Sequence, residues 1–300
     1  IMAKGVRFRG AWFDGTLDLF GVQLNHGLSF SRCHFSGPIN LMNSKVRGVH
    51  VSQCNLQGLS AENAEIDGQL YIRSDTHSKG EINLGGATVL GDIQMCDVSI
   101  EGNGADAIFA PSLIVKGSLY LGNYPYSTAD TYLKCRGQVF FSSLHVDHDV
   151  FVTNTEISPA PDPLLSSVFA ANEEHGTDIA LSLARAKIGG LLLFLNNQIP
   201  RGLVNLAGAE VQRLKDEPAG PGANYPIRLD GFRYNDFSRH TDTSVTSRLA
   251  WLARKPKGTL FVAQPYQQLA KILNEMGHTA DAQTVLMEKE RLMQAEARQA

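Results

Sequence analysis

Pairs of mostly apolar residues recur every five or six positions through the first quarter of the chain. One residue separates the members of each pair, and the first member is often the smaller one. The second members are, in order, Phe8, Phe13, Leu19, Leu24, Phe30, Phe35, Leu41, Val46, Val51, Leu56, Ala61, Ile66 and Ile72. This spacing does not fit one face of an α-helix, whose apolar period is about 3.6 residues. A globular sheet would need longer alternating runs separated by hairpin turns.

A square coil explains the spacing. If each five-residue unit forms one short side, both members of a pair point inward and the other residues face water. Four units then close a turn of about 20 to 22 residues, and successive turns stack at the strand spacing of about 4.8 Å. The spacing predicts that Phe8, Phe30, Val51 and Ile72 form one inward ladder. We therefore predict a mainly β solenoid over residues 1–234, with loop insertions.

Further pairs continue the pattern to Ile227/Leu229, with Ile179/Leu181 and Leu191/Leu193 among them. The segments between them are predicted insertions: 73–79, 101–107, 122–136, 153–176 and 212–225. We infer that several insertions leave from nearly the same edge and form a rim of loops, the usual position of a binding face in a stacked solenoid. Neutral loop growth is the alternative, because surface insertions cost little stability. Deletion of 153–176 is expected to abolish partner binding and to leave the fold intact.

The rhythm changes after about residue 243, and we predict a helical segment over 235–300. A short helix ends before Pro256, Pro265 suits the first turn of a second helix, and Gly277 ends that helix. The segment 264–300 resembles a tetratricopeptide helical hairpin. Because two helices alone make a short solenoid, the hairpin is predicted to cap the last coil. A peptide-binding role for it is the alternative.

Residues 8–72 resemble the pentapeptide-repeat proteins, although the usual Ala-(Asp/Asn)-Leu-x-x is only loosely kept. The stretches 227–234, 248–252, 264–270 and 277–289 are similar to bacterial proteins commonly named "membrane-associated oxidoreductase". The resemblance implies a right-handed pentapeptide-repeat-like β-helix with a C-terminal α-helical cap. It also implies attachment to the cytoplasmic face of a membrane through a segment that follows Ala300, with residues 1–300 themselves soluble. It provides no catalytic residues.

Composition narrows the possible partners. A net charge of −3 argues against a protein that covers nucleic-acid phosphates with Lys and Arg, so no nucleic acid is expected as a partner. Four cysteines without short spacing suggest a reducing compartment and no zinc site. No apolar stretch approaches the roughly 18 residues that a membrane-spanning helix needs.

Motifs for redox or metal chemistry are not found in the sequence. The glycine pairs Gly85-Gly86 and Gly189-Gly190 lack the spacing and the following helix of a dinucleotide site, and fit coil corners. We therefore predict no catalytic residue, no cofactor and no metal site. Residues 145–149 contain two His and two Asp that could bind a metal, but a solvated polar stretch fits them better. The oxidoreductase of the family label and a sugar-active β-helix enzyme remain alternatives.

Two sets of side chains are singled out as candidate sites. Cys33 and Cys54 both occupy first inward positions one coil apart, and are predicted to be stacked core thiols serving as small apolar residues; a disulfide or redox pair is the alternative. Outward aromatic residues are predicted to be exposed or half-covered and to form a contact surface, without aligning into one stripe. They are Trp12, Tyr71, Tyr120, Phe140 and Phe151.

These features predict a non-catalytic scaffold that displays loops to a protein partner or to its own membrane domain. A DNA-mimicking pentapeptide protein that binds a topoisomerase is another alternative. Such a protein needs an acidic stripe and a symmetric dimer. The acids of the first coils are too few and lie among arginines such as Arg7, Arg9 and Arg32.

Overall fold

The chain folds into a parallel β-solenoid of about nine turns followed by helices. The computed structural model describes residues 5–125, 130–159, 179–220, 224–256 and 258–298, apart from the side chains of 103–105. Its strands are β1 (Val6–Arg9), β2 (Trp12–Phe13), β3 (Leu17–Asp18), β4 (Gln23–Leu24), β5 (Leu28–Ser31), β6 (His34–Phe35), β7 (Ile39–Asn40), β8 (Lys45–Val46), β9 (Val49–Ser52), β10 (Asn55–Leu56), β11 (Leu59–Ser60), β12 (Glu65–Ile66), β13 (Leu70–Ser78), β14 (Ile82–Asn83), β15 (Thr88–Val89), β16 (Ile93–Phe109), β17 (Ile114–Val115), β18 (Leu119–Gly122), β19 (Leu133–Phe140), β20 (His145–Val146), β21 (Val150–Thr153), β22 (Thr155–Ser158), β23 (Ile179–Ser182), β24 (Lys187–Leu195), β25 (Leu203–Asn205), β26 (Glu210–Asp216), β27 (Ile227–Arg228) and β28 (Arg233–Phe237). The helices are α1 (Val245–Leu252), α2 (Gln264–Glu275) and α3 (Thr279–Ala297).

Each coil has four sides, and every side pairs in parallel with the same side of the next coil. The first face begins with β1, β5 and β9, the second with β2, β6 and β10, the third with β3, β7 and β11, and the fourth with β4, β8 and β12. Phe8 pairs with Phe30, Phe30 with Val51, and Val51 with Ile72. The predicted inward ladder is confirmed.

The interior is a continuous apolar column built from these ladders. At its N-terminal end the Phe8 and Phe30 rings stack at 5.5 Å, and those of Phe13 and Phe35 at 4.6 Å. Phenylalanine rings stack on phenylalanine rings because the parallel register places each inward residue next to its counterpart one coil away.

Two corners of the coil are turned by single residues in the left-handed conformation. One corner, between the first and second faces, has Gly10, Arg32 and Gln53 at this position, with φ values of 65°, 55° and 54°. The corner between the third and fourth faces has Asn43 and Asn63 there, at 55° and 54°. Glycine and asparagine tolerate the left-handed conformation best, which partly explains why these residues recur at the corners of the coil.

Four of the predicted insertions are shorter than expected, because each contains a coil unit with a polar or thiol member. These units are Thr76/Ser78, Leu133/Cys135, Thr155/Ile157 and Leu214/Asp216, and all eight residues are buried. A search for apolar pairs does not detect them. Deletion of 153–176 would therefore remove the core residues Thr155 and Ile157, so the expectation that it leaves the fold intact is wrong.

The pair predicted at Leu191/Leu193 lies one residue away from the observed position. Leu192 and Phe194 point inward, paired with Leu214 and Asp216, and Leu191 and Leu193 are half-buried on the outer side. The segment 191–194 is apolar at every position, so it offers no contrast from which the register could be read.

Two of the connections between coil units join the second face to the third. The chain leaves the second face after Ser158 and returns on the third face at Ile179, and residues 102–107 connect the same two faces two coils earlier. The loop 123–132 instead connects the first face to the second. Most of 153–176 lies outside the described residues.

The helices close the C-terminal end of the column. Trp251 and Leu252 of α1 and Tyr266 and Leu269 of α2 join the main core, and α3 packs Ala282 and Val285 against α2. Gln264 accepts from the Gly231 amide at 2.8 Å and donates to the Phe232 carbonyl at 3.0 Å. The helical cap thus satisfies backbone groups that a further coil would otherwise pair. No helix among the described residues is long and apolar enough to cross a membrane.

Candidate functional site

The outward positions of the first face form a ladder of planar and apolar side chains. Each lies between the two inward members of its strand, so the parallel register places it next to its counterpart one coil away. The central ladder consists of His50, Tyr71, Gln94, Tyr120, Phe151 and Leu193. We call this set the aromatic ladder.

The rings of the aromatic ladder stack on one another. His50 and Tyr71 have ring centroids 4.9 Å apart, and Tyr120 and Phe151 are 4.7 Å apart with an interplanar angle of 11°. Because the rings stack along the ladder, their edges point away from the coil. The ladder therefore offers ring edges and the Tyr71 hydroxyl to a contacting molecule and offers few free ring faces, while Gln94 is buried between the ring pairs.

Residues 123–125 and 130–132, the described ends of a loop, cover part of the ladder. Tyr124 meets Tyr120 edge-on with centroids 5.1 Å apart, and its amide donates to the Thr131 hydroxyl at 2.9 Å. Thr131 in turn donates to the Gly122 carbonyl at 2.8 Å, which fixes the base of the loop. Tyr120 and Phe151 are consequently only 7% and 9% exposed, less than the sequence led us to expect.

Tyr71 remains half-buried at the edge of the covered region. Arg73 places its guanidinium carbon 4.9 Å from the centre of the Tyr71 ring. Burial raises the pKa of the Tyr71 hydroxyl, with a smaller contribution from the nearby Asp92 carboxylate. The hydroxyl therefore stays protonated at neutral pH and can donate a hydrogen bond.

The structure brings together three of the five predicted contact residues. Tyr71, Tyr120 and Phe151 lie on the aromatic ladder, although the sequence register had not placed them in one stripe. Trp12 lies on the second face, 69% exposed and stacked on His34 at 3.9 Å. Phe140 lies on the third face, buried and stacked on Phe109 at 5.6 Å.

Gln94, Leu193 and Tyr124 are members of this surface that sequence reasoning did not select. Gln94 and Leu193 occupy the same outward position as Tyr71, so the pattern itself could identify them once the register of each coil is known. Coil length rises from 21 residues at Cys33 to 42 at Thr155, and this variation conceals the alignment. Tyr124 lies in a loop and has no repeat signal.

The fourth face has a different character, because most of its charges are neutralised one coil away. Lys45 pairs with Glu65 at 2.6 Å, and Arg233 pairs with Glu210 at 3.4 Å. An open groove of about 420 Å³ runs over this face and is lined by His145, Lys187, Gly189, Gln212 and Asn235 among others. Paired charges leave this groove little to offer a ligand.

Residues 145–149 lie at the edge of this groove and do not converge on a point. The His145 Nε2 atom lies 3.0 Å from Asp147 Oδ1, and Lys116 lies 3.3 Å from the other oxygen of the same carboxylate. Asp149 instead accepts the Leu191 amide at 2.7 Å, a structural bond. In the described part of the chain no three His, Cys, Asp or Glu side chains are grouped as metal ligands.

Cys33 and Cys54 are stacked one coil apart, as predicted. The Cys33 amide lies 3.3 Å from the Cys54 sulfur, and both thiols are buried and free. Burial raises the pKa of Cys54 to about 11, so the thiolate needed for redox exchange is scarce at neutral pH. The geometry suits a core role.

Stacked parallel coils with paired inward residues define the class of this protein: a parallel β-solenoid, consistent with a pentapeptide-repeat-like β-helix. Compared with models of protein families, with curated proteins and with solved structures, the chain finds no match.

Proposed function

We propose that this protein is a non-catalytic pentapeptide-repeat-like scaffold that binds a protein partner along the first face. The observation that carries the proposal is the outward ladder of the first face, on which the half-buried Tyr71 and Leu193 lie on either side of Tyr120 and Phe151, whose rings Tyr124 covers. Isolated outward aromatic residues are ordinary, whereas a contiguous row is typical of an interaction surface.

The orientation of the rings favours a protein over a carbohydrate. A sugar ring usually packs on an open aromatic face, and here the faces of Tyr120 and Phe151 are occupied by each other. Ring edges and the Tyr71 hydroxyl match the mixed apolar and hydrogen-bonding contacts of protein interfaces. A rigid backbone ladder also holds these groups at fixed spacing, which lowers the entropy lost on binding.

Photo-crosslinking tests this assignment directly. Benzoylphenylalanine placed at position 71 is expected to crosslink one specific protein in cells that make this chain, and the same probe at position 12 is expected not to. A double variant, Tyr71→Ser with Leu193→Ser, should lose capture of that protein. The control, Trp12→Ser with Leu90→Ser, removes exposed apolar side chains from the second and fourth faces and should keep it.

Thermal unfolding of both double variants verifies that capture is compared between folded proteins. Equal capture by the two double variants would contradict the proposal. A flavin or haem band in the visible spectrum of the purified protein would instead favour the oxidoreductase alternative.

A further inference from the structure

Four arginines lie together at the N-terminal end of the first face. Arg7 and Arg9 project from β1, Arg32 turns the corner after β5, and Arg73 projects from β13. All four are exposed. None of them forms an ion pair with another described residue. We call this group the arginine cluster.

The arginine cluster lacks acids at the neighbouring coil positions of its two ladders. Side chains one coil apart are about 4.8 Å from each other, an ideal separation for ion pairs, and the fourth face uses it at Lys45–Glu65 and Arg233–Glu210. The first face has two outward ladders in the first four coils. One consists of Arg7, Ser29, His50 and Tyr71. The other consists of Arg9, Ser31, Ser52 and Arg73. No acid is among them.

The positive charges of Arg7 and Arg73 both affect His50, although three coils separate the two arginines. Burial lowers the pKa of His50, and the positive charges of Arg73 and then Arg7 lower it further. His50 is therefore neutral at pH 7. The surface between the two arginines thus has a positive potential, even though the whole chain carries a net charge of −3.

Small hydroxyl side chains form the floor between the arginines. Ser29, Ser31 and Ser52 point outward on β5 and β9 and are half-buried. Long guanidinium side chains therefore surround a shallow strip of hydroxyl groups. An extended chain laid along this strip would meet hydrogen-bonding groups below it and arginines at both ends.

We propose that the arginine cluster binds an acidic, extended segment of the partner protein, an inference that rests on the proposed function. Arg guanidinium groups bind carboxylates through paired hydrogen bonds, and they do so better than Lys. The strip continues without a break into the aromatic ladder at His50 and Tyr71. The partner segment is therefore acidic where it meets the arginines and apolar where it meets the rings.

Two other anionic partners fit the surface less well. A flat anionic membrane would contact the guanidinium groups, but would not use the serine strip between them. A nucleic acid would need accessible ring faces for base stacking, and the His50 and Tyr71 rings are stacked on each other.

Fluorescence anisotropy with synthetic peptides tests the inference. The probe is a fluorescein-labelled peptide of alternating Glu and Leu, and its neutral counterpart alternates Gln and Leu. Wild-type protein is expected to bind the Glu peptide more tightly, with an affinity that falls as salt rises. The double variant Arg7→Gln with Arg73→Gln should weaken binding about tenfold.

A matched control removes the same charge from a different face. Arg47→Gln with Lys187→Gln changes two exposed cations that form no ion pair with described residues, and should leave peptide binding unchanged. The inference is overturned if wild type does not prefer the Glu peptide, or if both double variants weaken it equally. It is also overturned if phosphatidylserine vesicles or duplex DNA bind more tightly with the same dependence on Arg7 and Arg73.

Capture of the crosslinked partner separates this inference from the proposed function. If the arginine variant still captures the partner while Tyr71→Ser with Leu193→Ser does not, the acidic segment is wrong and the scaffold assignment stands. If capture survives both double variants, the proposed function itself fails.

Discussion

The first and the last described coils of the solenoid differ in how deeply their inward residues are buried. In the first described coil the inward residues Phe8, Phe13 and Leu17 are half-buried, and Val6 is 43% exposed. In the last coil the inward residues Phe232 and Tyr234 are fully buried beneath α1 and α2. Inward residues are therefore fully buried in the last coil and only half-buried in the first described coil.

The C-terminal end shows what closing a solenoid requires. Asp216 occupies the inward ladder position that Phe194 fills one coil earlier, and its carboxylate receives two hydrogen bonds from Arg248 at 2.7 and 3.0 Å. Arg248 is completely buried, with its guanidinium carbon 4.3 Å from the centre of the Phe237 ring. A paired acid in the last layer thus replaces an apolar side chain and attaches the helices to the coil.

The largest effect is expected from breaking this closed end. Arg248→Ala leaves Asp216 buried without its partner, which should cost about 3 to 5 kcal/mol in the free energy of unfolding. Urea denaturation followed by circular dichroism measures the loss. The double replacement Arg248→Met with Asp216→Leu should recover much of it, because no uncompensated charge remains. An unchanged midpoint for Arg248→Ala would show that the ion pair does not hold the cap.

A matched pair of leucines measures the contrast between an end coil and an interior coil. Leu17 and Leu59 lie on the same inward ladder of the third face, and Ile39 lies between them. Leu59→Ala should cost about 2 to 5 kcal/mol as a fully buried site. Leu17→Ala should cost about half as much, because Leu17 is only half-buried. Equal losses in urea denaturation would mean that the first coil is as tightly packed as the third.

An effect of intermediate size, dependent on pH, is expected in the middle coils. Burial, and to a smaller extent the nearby Glu81 carboxylate, raise the pKa of Asp106 to about 7. The folded state thus binds the Asp106 proton more tightly than the unfolded state does. Stability should fall as pH rises from about 4 to about 7, where the unfolded carboxyl ionises before the folded one.

Asp106→Asn is the control for this dependence. The variant should match wild type below about pH 4 and exceed it above pH 7, since it has no charge to bury. Free energies of unfolding from urea titrations across this range give the comparison. If the free energy of unfolding depended on pH in the same way for both proteins, Asp106 would not be the cause of the dependence.

The smallest effect is expected at the surface of the first described coil. Trp12→Ser removes a ring that is 69% exposed and rests on His34. The change in the free energy of unfolding should stay within about 0.5 kcal/mol. A loss of several kcal/mol in the same urea assay would indicate that Trp12 covers the first coil more completely than its exposure suggests.

The coil architecture could be predicted because the doublet pattern depends on burial alone. Phe8, Phe30 and Val51 must be apolar wherever four short sides close around a narrow interior, and no other fold gives that spacing. The polar core residues escaped prediction for the same reason. Thr76 and Asp216 are buried because a hydroxyl bonds to the Arg73 carbonyl at 2.7 Å and a carboxylate bonds to Arg248. Only the folded chain brings these hydrogen-bonding partners next to Thr76 and Asp216.

The candidate surface was only partly predictable. Tyr71, Tyr120 and Phe151 could each be identified as outward from the residues on either side, but their alignment depends on how many residues each coil contains. The position of Gln94 depends on how the coils stack, and the position of Tyr124 depends on a loop. Neither has a sequence signal of its own.

The sequence by itself determined which side chains face the interior, because water excludes apolar groups regardless of their distant neighbours. It also determined that successive coils stack, since exposed strand edges pair with the next strand. Only the tertiary structure decided which outward residues are neighbours, which arginines lack an acid, and how the last coil is closed. Those features depend on contacts between residues that lie 20 or more positions apart, and the stacking of coils creates them.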